Sequence, residues 1–172
     1  YKYSSGRSAL YYILLDVQKR YGITTAYLPN YLCSSVVVAA EKSQVKVVFY
    51  NLNDQLEIDI EKFPLDDNEK AAVLLINYFG LKSLQLQVEL VRSISMEAIV
   101  IEDDVQAFYE FCKPELAADY KFTSLRKTFA CPDGGLVKTA KQLTVVTEVN
   151  KFHQFKLAGC ILKSLHKPKY YD

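Results

Sequence analysis

The chain has 172 residues, half of them apolar, with 21 basic and 20 acidic side chains and a net charge of +1. That length holds one domain with a proper core rather than two, and the even charge balance excludes the footprint of a nucleic-acid or anionic-membrane binder. No apolar run approaches the roughly 20 residues that cross a bilayer and no charged-then-apolar leader opens the sequence, so a cytoplasmic protein is expected.

In chain order, the turn Ser4-Ser5-Gly6-Arg7-Ser8 runs into helical spacing from Ala9 to Arg20. A strand is predicted at Ala26 to Leu28, a helix at Ser34 to Lys42, and a strand at Val45 to Tyr50. Pro64 and Asp66 to Asn68 break the pattern as a loop. Strands follow at Ala72 to Asn77, Ala98 to Glu102, Lys121 to Ser124 and Leu136 to Lys138, with a helix at Ser83 to Ser95 between the first two. Several of these strands are apolar at successive residues, the mark of burial on both faces. The alternation predicts a largely parallel sheet built by crossovers, with helices on both sides. From Lys141 the sequence is mainly helical, and Phe152, Phe155, Leu157, Ile161, Leu162 and Leu165 form an apolar set that needs a partner surface. The start at Tyr1 and the close on KPKYYD read as a piece of something longer.

Cys33, Cys112, Cys131 and Cys160 are widely spaced, form no CxxC pair, and accompany only His153 and His166. That pattern points to ordinary reduced thiols rather than a zinc site or a disulfide framework. No GxGxxG or GxxxxGK loop follows a strand, which argues against a nucleotide-binding domain.

Ligands of open α/β sheets bind beyond the carboxyl ends of the strands, so the polar residues there are the candidates. The Ser4 to Ser8 turn at a helix start suits a phosphate, or is a plain cap. The acids Glu102, Asp103 and Asp104 end an apolar strand, where a carboxylate can hold a metal, a ribose hydroxyl or a ring nitrogen, or merely sit in a solvated turn. Lys127 lies between a strand and a Pro-Asp-Gly-Gly turn, where a buried lysine would lose its proton readily enough to attack an aldehyde, and a surface lysine would do nothing.

Taken in order, SSGRSAL, LPNYLCSSVVVAA, INYFGL, VIEDDVQAF and SLRKTFACPDGGLV resemble the large domain of the DegT/DnrJ/StrS aminotransferases over Ser4 to Val137. The resemblance implies a three-layer α/β/α fold of the fold-type-I class and pyridoxal 5'-phosphate as cofactor. It sets residues 4–140 as the cofactor-binding domain and 141–172 as a helical tail leading toward a small C-terminal domain. By the same resemblance Lys127 is the lysine that carries the cofactor and later moves the substrate proton. Asp103 pairs with the pyridine nitrogen, and Gln106 stands near the phenolic oxygen. Gly6, Arg7 and Ser8 hold the phosphate, to which Ser124 adds a hydroxyl. Cys33 occupies the approximate place where many members put an aromatic residue over the ring, and there a thiol could pack instead. Asn77 stands for a histidine of many relatives, and Asp104 for a small residue. Relatives that dehydrate sugars can carry histidine for the lysine, so Lys127 points to transamination. The implied partners are a small-molecule amino donor, a carbonyl acceptor such as a nucleotide-linked keto-sugar, and a second subunit in a homodimer. The other reading is a non-catalytic domain that keeps the fold as a binding or assembly module.

Overall fold

The computed structural model describes residues 1–144 and 153–165. Seven strands form one sheet: β1 (Lys2–Tyr3), β2 (Thr25–Pro29), β3 (Lys46–Tyr50), β4 (Ala72–Ile76), β5 (Ile99–Asp103), β6 (Tyr120–Ser124) and β7 (Gly135–Lys138), in the order β1-β7-β6-β5-β4-β2-β3. Pairing is parallel from β3 through β2, β4 and β5 to β6, and antiparallel where β7 meets β6 and β1. The helices are α1 (Gly6–Tyr21), α2 (Ser34–Lys42), α3 (Gln85–Ile94), α4 (Phe108–Cys112) and α5 (His153–Ser164).

Two apolar clusters cover the two faces of the sheet, giving the predicted three layers. Leu10, Ile13, Leu14 and Val17 of α1 pack with Val36 and Ala39 of α2 on Leu74, Ile101, Tyr120 and Phe122. On the other face Val88 and Val91 of α3 meet Val73, Leu75 and Val100. The central strands β4 and β5 are buried almost throughout, as the apolar runs AVLLI and Ile99-Val100-Ile101 require. Helix α1 starts where Ser5 caps it, its side chain accepting the Ser8 N–H at 3.1 Å, and stops at Gly22, whose φ of 69° is left-handed.

The structure departs from the sequence pattern in several places. The helix predicted from Ala9 begins at Gly6, so the candidate phosphate turn is itself the first turn of α1. The strand predicted to end at Glu102 runs on to Asp103, and Asn77 lies outside β4. Neither β1 nor the five-residue α4 was predicted. The β3-to-β4 connection holds a single 3-10 turn, Ile60–Lys62, and no α-helix. Residues 141–144 are not helical; α5 follows later, and Phe152 and His166 lie outside the described residues. Among the described members of the predicted apolar set, Phe155, Leu157, Ile161 and Leu165 are exposed. Among the described residues, no helix is long and apolar enough to cross a membrane.

Candidate functional site

Because β2, β4, β5 and β6 run parallel, their carboxyl ends share one edge, and α1 begins at that edge after the antiparallel β1–β7 pair. A cleft of about 1260 Å³ opens there. Gly6, Arg7, Ser8, Cys33, Asp103, Gln106, Ser124 and Lys127 all line it, so the eight residues singled out in the sequence share one cavity.

The floor at one end is the start of α1. Ser5 takes the Ser8 amide, while Gly6 and Arg7, in the first turn, have no intrahelical acceptor for their N–H groups. The Ser8 hydroxyl also contacts the hydroxyls of Ser4 at 2.9 Å and Ser5 at 3.0 Å. Gly6 is pressed against β6: a Cβ there would come within 3.1 Å of the Ser124 Cβ. The result is a concave cradle of backbone N–H groups and hydroxyls at a positive helix end, which fits a phosphate.

The Pro-Asp-Gly-Gly turn explains how this cradle is joined to Lys127. The Gly134 N–H donates to Ser4 O at 3.1 Å, and Gly134 O accepts from Leu125 N at 2.9 Å. Gly134 has φ of 130°, and a Cβ on Gly135 would lie 2.3 Å from Ser5 O, so neither position accommodates a side chain. Lys127 ends a 3-10 turn, Leu125–Lys127, within the β6-to-β7 connection. It is exposed, the surface alternative of the two that the sequence leaves open, and the turn sets Arg126 and Lys127 on the cleft wall.

The three acids divide between two faces, as alternation along β5 demands. Asp103 faces the cleft yet is buried, and burial pushes its carboxyl up to about 7, opposed only by the hydrogen bond from the Val105 N–H at 2.9 Å. Glu102 and Asp104 turn toward Lys121, whose ammonium lies 3.1 Å and 3.9 Å from their carboxylates. Burial and the neighbouring Glu102 hold the Asp104 carboxyl well above the ordinary range. All three acids are buried, so the segment is neither a solvated turn nor a gathered ligand set; among the described residues no group of three metal-ligating side chains occurs.

Cys33 sits at the N-terminal end of α2, and its Sγ accepts from the Ser35 hydroxyl at 3.2 Å. That hydrogen bond above all, with the Lys127 charge as a smaller cause, holds the thiol below its ordinary range. The motifs LPNYLCSS and INYFGL contain the aromatic side chains of the cleft, but the sequence assigns them no role. Tyr78, Phe79 and Tyr31 line it beyond the ends of β4 and β2, and the rule that points to Asp103 points equally to them.

No protein-family model matches the sequence, and no curated protein matches it. Solved structures do. The Escherichia coli GDP-4-keto-6-deoxy-D-mannose-3-dehydratase with bound hydrated PLP superimposes with a TM-score of 0.62 at 16% identity, over 82% of this chain and 39% of that one. A DegT DnrJ EryC1 StrS aminotransferase from Brucella abortus gives 0.59 at 16% identity, over 81% and 41%. NtdA from Bacillus subtilis with its cofactor PMP gives 0.63 at 21% identity, over 96% and 36%. The chain thus spans 36% to 41% of the length of these three structures. Its architecture is the fold of the DegT/DnrJ/EryC1/StrS aminotransferases and the related dehydratase, over somewhat more than a third of such a protein.

Proposed function

We propose that this chain is the cofactor-carrying part of a pyridoxal 5'-phosphate-dependent aminotransferase, with residues 4–140 as the unit that binds the cofactor. One observation carries the reading. A buried carboxylate with no basic partner among the described residues, Asp103, shares a cleft with an exposed lysine, Lys127, and a helix N-terminus lined with hydroxyls. A positively charged ring N–H is what Asp103 lacks, and a phosphate is what the N–H groups of Gly6 and Arg7 and the hydroxyls of Ser8 and Ser124 suit.

Bound there, the cofactor supplies an electron sink for the substrate carbon. Asp103 would hold the proton of the ring nitrogen, keeping the sink charged. Gln106 would orient the ring through its phenolic oxygen. Lys127 would fix the aldehyde carbon and, once displaced by the incoming amine, carry the proton away from the substrate Cα. Its place in the lining of the cleft supports both roles, since the amine must reach a ligand and then withdraw from it. An amino donor and a carbonyl acceptor, a nucleotide-linked keto-sugar or similar, would be the substrates, in line with the keto-sugar dehydratase among the structural neighbours. The exposed Phe155 and Ile161 of α5, with Leu165 just after it, would be covered by a small C-terminal domain or by the second subunit of a homodimer.

The test is borohydride reduction of the purified chain after incubation with pyridoxal phosphate, followed by peptide mass spectrometry. A phosphopyridoxyl group on Lys127, absent from Lys127→Ala, is the expected result; a chain that takes up no cofactor would overturn the reading. Bleaching of the visible cofactor band by an amino donor then separates an enzyme from a cofactor-holding assembly module.

A further inference from the structure

We infer that Tyr78, braced by Tyr31, is the aromatic wall of the ring subsite beside Asp103, in a cleft where Cys33 offers only a thiol. The inference rests on the cofactor reading above and adds a residue to which that reading gives no role.

Tyr78 stands two residues beyond β4, and the strand register sets Ile76 opposite Asp103, with the Asn77 N–H donating to Asp103 O at 3.0 Å. Its half-buried side chain lies in the cleft, close enough to Asp103 that burial, followed by that carboxyl, raises the phenol well above its ordinary value. The ring stacks on Tyr31, with centroids 5.7 Å apart and planes 29° from parallel, and the hydroxyl donates to the Tyr31 carbonyl. The phenol is therefore occupied by backbone, and what remains to a ligand is the aromatic face. The brace links the segments after β2 and β4, which fixes the ring against rotation.

A fixed aromatic face next to a buried carboxylate recognises a flat cation: the carboxylate takes the N–H at the ring edge, and the aromatic face takes the π-surface. Cys33 also lines the cleft, but its sulfur is engaged by Ser35 and lies within the field of Lys127.

Pyridoxine 5'-phosphate is the probe, because it carries the ring and phosphate but an alcohol in place of the aldehyde, so that Lys127 chemistry does not contribute. Its affinity for the 172-residue chain would be measured by calorimetry, and the induced circular dichroism of bound pyridoxal phosphate recorded in parallel. Tyr78→Ala should weaken binding about 10-fold and diminish the dichroic band, and Tyr78→Phe should stay within about threefold of wild type. Tyr31→Ala, which removes the brace and leaves the wall, should fall between them. Cys33→Ala should bind within about twofold of wild type. Far-ultraviolet spectra confirm that each variant is folded, and Tyr31→Ala carries the test if Tyr78→Ala is not. Wild-type affinity and an unchanged dichroic band in Tyr78→Ala, or in Tyr31→Ala where that variant carries the test, would overturn the inference while leaving the cofactor reading intact. A loss in Cys33→Ala equal to that in Tyr78→Ala would also overturn it. Failure of the wild-type chain to bind either compound would overturn both.

Discussion

Asp16 and Asp103 are both buried carboxylates, one toward the amino edge of the sheet and one at the carboxyl edge, and their surroundings are opposite. Asp16 accepts from the Tyr120 hydroxyl at 2.7 Å, from Thr144 N at 2.8 Å and Oγ1 at 2.6 Å, and from Arg20 Nε at 3.4 Å. Burial alone would raise its carboxyl, but the bonds from Thr144, Tyr120 and Arg20 together hold it below the ordinary range. Asp103 has one backbone donor, and burial prevails. A carboxylate whose acceptors are filled is a structural pin, and one left short of donors is a place for a ligand.

The widest separation comes from replacing the pin. Asp16→Asn keeps the shape but sets an amide against donors, and should cost about 2–4 kcal/mol in urea unfolding. A loss below about 1 kcal/mol would collapse the contrast. The sign with pH follows from the lowered folded value. Its contribution is fully present above the unfolded carboxylate's value of about 3.9 and is lost as pH falls through the folded one, so the wild type should have an acid limb that Asp16→Asn lacks.

Asp103 should behave in the reverse sense. Below about 3.9 both states hold the proton and nothing is lost. From there up to about 7 the unfolded chain releases its proton while the folded chain keeps it, so stability falls as pH rises, and the cost is complete above that value. Asp103→Asn should therefore be more stable than wild type at pH 8 by about 1–3 kcal/mol and equal to it near pH 4, measured by urea unfolding at the two pH values. Equal stability at both would make Asp103 a second pin.

The smallest effect concerns the accessibility of the cleft edge. With its thiol held below the ordinary range beside Lys127, Cys33 should react with iodoacetamide at pH 7 roughly threefold faster than the exposed Cys112, and pyridoxal phosphate should slow it. Peptide mapping gives both rates; an unprotected Cys33 would separate it from the ligand's space.

These two carboxylates also divide what the sequence reveals from what it hides. Asp103 is legible because it ends a continuous run, Val100-Ile101-Glu102, at the edge where such folds bind ligands. Asp16 is not, because its decisive partner Thr144 lies 128 positions away and no local pattern marks that pairing. The same distinction runs through the fold. Strands β3, β4 and β5 announce themselves by apolar runs, while β1 has two residues and exists only because β7 offers it an edge. Lys127 was found by its neighbours in sequence, but its exposure depends on a 3-10 turn whose stop, the Thr128 N–H on Leu125 O, has no signature of its own. Tyr78 was hidden for a different reason: an aromatic residue after an apolar strand reads as core until its stacking partner, Tyr31, is placed beside it from another loop.

Gly135 does not line the cleft, yet it tolerates no side chain, since the Ser5 carbonyl occupies the space where one would begin. Through Gly134 the same turn is bonded to Ser4 on one side and Leu125 on the other. The serine turn and the lysine loop are thereby yoked, and neither can wander in sequence or position without carrying the other with it. A chain that keeps this strap keeps the spacing between the serine turn and Lys127, whichever side chains line the rest of the cleft.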